Sequence, residues 1–146
     1  EQASNKTLEG SVLIGVGIGI VLTVAVQSSS VTTSLVVPMC AAGVVRLENA
    51  FPIMLGANIG TTATALLASM AQDKPAALTI ALVHLLFNTT GVVVCLVFPA
   101  VRKVPIWLAR WLAARTLESK LWIVGYVVGV FIMLPALGWW IWGAAD

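Results

Sequence analysis

The sequence predicts an all-α integral membrane protein, and three observations carry that prediction. Hydrophobic side chains make up 60% of the 146 residues and only 10% are charged, whereas a soluble domain carries charge on about a quarter of its positions. The charges fall in short strips between long apolar runs, and mean hydropathy is +1.01. The polar residues inside the runs are nearly all neutral Gln, Ser, Thr and Asn. Backbone in a bilayer core has to satisfy its own hydrogen bonds, so such runs are read as helices.

Four apolar stretches order the chain. A bilayer core is ~30 Å thick and needs roughly 20 helical residues to cross. Residues 10–45 hold two legs, 10–26 and 35–45, at or below that length. Between them lies a polar island, Gln27-Ser28-Ser29-Ser30-Val31-Thr32-Thr33-Ser34. This favours a re-entrant helical hairpin with its tip inside the membrane, since irregular backbone is tolerated there when it lines a cavity or is buried in protein. Two short spans joined by an exposed Ser/Thr loop are the alternative, and both return the chain to the same side. Residues 50–71 form a span expected to be broken near Asn58-Ile59-Gly60-Thr61-Thr62, because Gly56 and Gly60 each weaken helix by about 1 kcal/mol. If that helix is unbroken, Asn58, Thr61 and Thr62 share one face. Residues 76–101 form a further span containing His84 and Asn88-Thr89-Thr90, and the charge-free residues 121–145 form the last.

The strip 102–120 between those two spans reads as interfacial. Trp107, Leu108, Trp111 and Leu112 fall on one helical face and Arg110 lies away from it. Arg115 projects under the apolar face, where its long stem would let the charge snorkel outward. Trp122 and Trp139-Trp140-Ile141-Trp142 bracket the last span as aromatic belts do. With a returning hairpin, seven of the eight Lys and Arg residues share one side and Lys74 lies opposite. The excess marks that side, with the amino terminus and the strip, as cytoplasmic.

Other features exclude more than they assign. A net charge of +2 gives nucleic acid no electrostatic footprint. Cys40 and Cys95 lie in apolar runs and read as packing residues. An enzyme needs a base beside a nucleophile, and among the membrane stretches only His84 offers one, so no enzymatic role is expected. His84 itself reads as a hydrogen-bonded structural residue. The glycines at 15, 17 and 19, and Gly125 with Gly129, have spacings that suit close helix packing. The first apolar run ends without a small-x-small cleavage site, so a signal peptide is not expected; the chain starts without an initiator methionine, at a processed end or, the favoured reading, as an excised part of something longer.

Polar groups inside a membrane are costly and default to functional candidates. The hairpin tip offers hydroxyls, an amide and free backbone groups. A half-helix starting near Gly56–Gly60 would aim its positive end at an anion, and freed carbonyls would hold a cation. Interhelical hydrogen bonding is the competing use of the same residues.

Gln27-Ser28-Ser29-Ser30 with Thr33-Ser34, then Leu47-Glu48-Asn49-Ala50-Phe51-Pro52, then Gly56-Ala57-Asn58-Ile59-Gly60-Thr61-Thr62, closely resembles the sodium-phosphate cotransporter family. His84 to Gly91 and Pro105 to Arg115 are similar to it too. The resemblance implies two inverted repeats, each with a Gln-Ser-Ser-Ser hairpin and a broken helix, meeting at a midplane site. Val31 makes this chain resemble the second, C-terminal repeat, with the first repeat as its missing partner. It implies inorganic phosphate held by Gln27, Ser28, Ser29 and Ser30. Sodium, as co-substrate and not as a resident cofactor, would be held by Gln27, Ser28, Thr33, Ser34, Asn58, Thr61, Thr62 and Thr64. The setting implied is a multi-pass protein of the plasma membrane bilayer. Transport of another small anion, a channel, or a non-transporting scaffold are the rival readings.

Overall fold

A computed structural model describes residues 2–72 and 74–143, with side chains described from Val12 onward. Asp73 and the end of the last expected span, 144–146, lie outside the described residues. The elements are α1 (Gln2–Val26), α2 (Ser29–Ala41), α3 (Leu47–Met70), α4 (Pro75–Val97), α5 (Pro99–Glu118), α6 (Leu121–Val128), a π-helical turn (Gly129–Met133) and α7 (Leu134–Gly143). No strand occurs among the described residues. The chain forms two compact units, Glu1–Lys103 and Val104–Asp146.

In the first unit, α1 and α3 run parallel in intimate contact. A Cβ on Gly15 would stand 2.8 Å from the Pro52 Cβ, and one on Gly60 would stand 2.8 Å from the Thr23 Cβ. Between these points, a Cβ on Gly19 would overlap the Ile53 carbonyl oxygen, and one on Gly56 the Val16 carbonyl oxygen. Glycine is required here because backbone meets backbone, the packing mode that small residues permit in membranes. The expected role of Gly15 and Gly19 is therefore borne out. Gly17, on the other side of α1, has nothing within 4 Å.

The same contacts overturn the expected break in the second span. α3 is a continuous helix from Leu47 to Met70, straight through Gly56 and Gly60. Glycine costs a helix about 1 kcal/mol, but each backbone group left unpaired in an apolar setting costs several. Continuity is the lower-energy outcome, and the glycines serve approach to α1.

The interruption lies instead between α1 and α2, and it is shorter than the polar island. Only Gln27 and Ser28 are non-helical, while Ser29 to Ser34 form the opening turns of α2. Gln27 sits at φ 57°, the left-handed conformation that commonly ends a helix. Ser28 is extended at φ −154° and ψ 113°, and its Oγ accepts from the Val31 N–H, so it caps α2. At the far end of α2, Gly43 at φ 73° closes the helix: its N–H donates to Cys40 O and the Val44 N–H to Met39 O. These two bonds satisfy carbonyls that α2 would otherwise orphan.

Lengths follow directly. The apolar part of α1, Val12–Val26, and all of α2 are each shorter than a span, at about 20 Å. α3, at about 36 Å, is long enough to cross. Because Thr23 meets Gly60, Gln27 stands level with about Thr64, and α3 continues to Met70, about 9 Å further. α4 starts with Pro75 at its first position and stops at Phe98, which Pro99 holds in extended backbone. Its end shares a groove with the middle of α1: Leu96 and Val97 line it together with Val12, Leu13 and Arg102. Arg46 and Arg102 therefore mark one end of this unit and Lys74 the other.

In the second unit, Trp111 of α5 meets Trp122 of α6 edge to face at 5.4 Å. The Arg115 guanidinium lies 5.9 and 5.8 Å from those two rings and bonds Glu118 at 3.0 Å. That geometry accounts for a charge on the apolar face, since a cation over an indole is attracted by the ring quadrupole. Gly125 and Gly129 have nothing within 4 Å, so the close packing expected of them is not seen. Gly129 instead opens the π-helical turn, in which the Leu134 N–H reaches back to the Gly129 carbonyl. Pro135 follows directly, and a π turn is one way to seat a proline that offers no N–H.

The exterior is unlike that of a soluble protein. Ile80, Leu86 and Phe87 on α4 and Trp139, Trp140 and Trp142 on α7 are 65–80% exposed. Leu47–Met70, Pro75–Val97 and Leu121–Gly143 are each long and apolar enough to cross a membrane. Unpartnered apolar surface of this extent marks a membrane-embedded fold.

Candidate functional site

Two buried hydroxyls tie the α1–α2 hairpin together near its tip. Thr23 and Thr32 are 0% and 1% exposed, and their Oγ1 atoms lie 2.9 Å apart. Thr32 Oγ1 donates to the Ser28 carbonyl at 3.3 Å. Since Thr23 also touches the position of Gly60, the hairpin tip is held against α3 where Thr61 begins.

The tip brings two helix ends together. α2 begins at Ser29, so the N–H groups of Ser29 and Ser30 have no carbonyl behind them, and neither bonds elsewhere among the described residues. The Ser29 and Ser30 hydroxyls and the Gln27 amide likewise make no hydrogen bond among the described residues. They are donors at the positive end of a helix, the setting that suits an anion. The half-helix start therefore exists, but in α2 and not in α3 as expected. Beside it ends α1, whose last carbonyls carry partial negative charge.

The α3 hydroxyls have the opposite character. Thr61 Oγ1 donates to Ala57 O at 3.0 Å, Thr62 Oγ1 to Ile59 O at 2.8 Å and Thr64 Oγ1 to Thr61 O at 2.8 Å. With each proton committed to its own helix, only oxygen lone pairs remain. Such oxygens suit a hard cation and not a phosphate oxygen. Thr61 and Thr64 are half-buried, but Thr62 is 0% exposed and packed away. Asn58 is exposed and roughly 160° around α3 from Gly60, so it does not face α1. On α2, Thr33 is half-buried and Ser34 exposed. Pro38 lacks an N–H, which leaves the Ser34 carbonyl without its helical donor.

Thr23 was not among the residues the sequence singled out. Nothing local marks it, since the same apolar leg also holds Ser11; its contacts with Thr32 and with the position of Gly60 single it out. His84 is exposed on α4 and makes no hydrogen bond among the described residues, so the expected structural bond is not seen. Cys40 and Cys95 are free thiols. No cluster of three or more His, Cys, Asp or Glu occurs among the described residues.

The strained backbone of Gln27 separates fold from site. A left-handed conformation costs a non-glycine residue roughly 1–2 kcal/mol. Gln27→Gly is expected to melt within a few degrees of the parent protein or above it, and Gln27→Val clearly below, because a β-branched residue tolerates positive φ worst. Thermal unfolding of the detergent-solubilised protein checks this; equal melting of both variants would remove the strain argument.

Apolar helices with broad unpartnered surfaces, joined at a neutral polar hairpin tip, define an integral membrane protein. The family model described as Na+/Pi-cotransporter matches residues 2–113. The chain belongs to the sodium-phosphate cotransporter family. It is 44% identical over 129 residues to sodium-dependent phosphate transport protein 2C of Homo sapiens, covering 86% of this chain and 20% of that relative. Protein 2A of Oryctolagus cuniculus is 40% identical over 123 residues, covering 82% and 19%. Protein 2B of Bos taurus is 38% identical over 128 residues, covering 86% and 18%. The chain thus spans about a fifth of the length of these relatives. No solved structure matches it.

Proposed function

We propose that this chain is the C-terminal repeat of a sodium-coupled phosphate symporter of the plasma membrane. One observation supports the reading: the hairpin that carries the unbonded N–H and O–H donors of Ser29 and Ser30 is packed through Thr23 on Gly60 of α3, the helix on which the hydroxyl protons of Thr61 and Thr64 are already committed. The first set suits a phosphate oxygen, the second a sodium ion. No charged residue occurs within residues 10–45 or 50–71, so the protein does not neutralise a bound anion there. Sodium supplies that charge as a co-transported substrate, and each ion then binds weakly without the other. In this reading Gln27, Ser28, Ser29 and Ser30 hold phosphate, and Gln27, Ser28, Thr33, Thr61 and Thr64 supply sodium ligands, while Ser34, Asn58 and Thr62, which are exposed or packed away, need a rearrangement to join them. The missing N-terminal repeat completes the site, and movement of one repeat against the other gives alternating access. Phosphate uptake into vesicles holding the full-length transporter tests the reading. Uptake is expected to rise saturably with external sodium, and uptake independent of sodium refutes coupling.

The re-entrant arrangement is supported by the two short apolar legs and by a tip that stops about 9 Å below the end of α3. With Arg46 and Arg102 at one end of the first unit and Lys74 at the other, the amino terminus and the α5 strip are cytoplasmic. A tag inserted near residue 110 is then accessible only from the cytoplasm. A cysteine at Ser30 reacts with a small polar reagent and is protected by phosphate. Ready labelling of that cysteine by a bulky impermeant reagent from outside would mean two ordinary spans and an exposed loop.

A further inference from the structure

We propose that Thr23 is a positioning residue for the transport site, setting the start of α2 against α3 through a chain of two buried hydroxyls. The inference rests on the proposed function and adds a residue outside its ligand set. Thr32 has one hydroxyl proton and directs it to the Ser28 carbonyl. The Thr23 hydroxyl, 2.9 Å away, therefore donates to Thr32 Oγ1. Thr23, Thr32 and Ser28 form a directed chain that ends on the carbonyl of the residue capping α2. That carbonyl also accepts the Thr32 N–H at 3.3 Å, and the Ser28 Oγ accepts the Val31 N–H. The orientation of the Ser28 peptide, and with it the direction of the unbonded Ser29 and Ser30 N–H groups, is fixed from inside the bundle by Thr23.

The other side of Thr23 is fixed by α3. A side chain on Gly60 would meet the Thr23 Cβ at 2.8 Å and its Cγ2 at 3.1 Å, so the methyl of Thr23 registers α1 on the turn that carries Thr61. One residue thus touches both halves of the site: its hydroxyl sets the anion-facing helix start and its methyl sets the cation-facing oxygens. Thr23 is 0% exposed and does not itself reach a ligand. Its influence is on the spacing of the groups that do, which is where coupling between the two ions resides.

The test uses the full-length transporter in reconstituted vesicles. Thr23→Val keeps volume and removes the hydroxyl; it is expected to raise the sodium concentration for half-maximal phosphate uptake by roughly two- to tenfold at unchanged protein level. Thr23→Ser restores the hydroxyl and is expected to return the value towards that of the parent. If the hydroxyls act as one chain, Thr23→Val with Thr32→Val is no worse than Thr32→Val alone, whereas independent effects add. Thr79→Val, on a hydroxyl bonded within α4, serves as control. A second measurement needs no transport: in a Ser30→Cys background, Thr23→Val is expected to speed modification by a small polar thiol reagent. Unchanged sodium dependence and unchanged modification rate in Thr23→Val overturn the inference, as do additive effects in the double variant. Sodium-independent uptake by the parent with faster modification in Thr23→Val refutes the proposed function and keeps Thr23 as the positioning residue of the hairpin.

Discussion

Gly56→Ala is expected to prevent stable folding of the α1–α3 pair, although it adds a single methyl group. That methyl would overlap the Val16 carbonyl oxygen, and the backbone of α1 has no rotamer with which to yield. Gly19→Ala meets the Ile53 carbonyl in the same way. Overpacking ordinarily costs about 1–3 kcal/mol when side chains can adjust, and a backbone clash stands at or above the top of that range. A domain is only marginally stable, with about 5–15 kcal/mol in total. Separating the helices also pulls Thr23 from α3, so surviving protein is expected to lose transport as well. Gly17→Ala, with nothing within 4 Å, is expected to be neutral or slightly stabilising through its gain in helix propensity. Yield of monodisperse protein and thermal melting for the three variants check this. Normal melting of Gly56→Ala would mean that α1 and α3 are further apart than described.

Loss of one of the proposed sodium ligands is expected to have the second large effect. Thr61→Ala removes an oxygen whose proton is bonded to Ala57 O, so the backbone keeps its own helical bond and folding is expected to change little. Gln27→Ala removes the amide at the tip and keeps the strained backbone. Each is expected to weaken sodium activation by on the order of 1–3 kcal/mol, or roughly five- to more than a hundredfold in affinity. Ser29→Ala is expected to act chiefly on phosphate, because its hydroxyl proton is not engaged among the described residues. Cys95→Ala, on α4, is expected to leave uptake nearly unchanged. Phosphate uptake measured against sodium at fixed phosphate, and then the reverse, separates the two classes. Parental sodium dependence in both Gln27→Ala and Thr61→Ala would exclude these residues from the cation site while leaving the fold as described.

The sequence alone determined what kind of protein this is. Charge scarcity and apolar runs depend only on composition and order, so membrane class, a span within 76–101 and the charge-free final span were legible without any contact, while the end of that span at Val97 was not. So was the chemistry of the candidate site, because neutral hydroxyls and amides stand out in an apolar background wherever the chain takes them. What the sequence left open depends on neighbours. Gly56 and Gly60 carry the same local signal whether they break a helix or admit a second one, and the proximity of Val16 and Thr23 is what decides for packing. The polar island looked like one loop because Ser and Thr suit turns and caps, yet a single left-handed residue and one cap were enough to reverse the chain. Which hydroxyls donate outward and which are spent on their own helix is set by rotamer and burial, beyond the reach of composition. Thr23 shows the limit most clearly: one threonine in an apolar leg has no local feature to distinguish it, and only the packing of α1 on α2 and α3 places it between Thr32 and the position of Gly60.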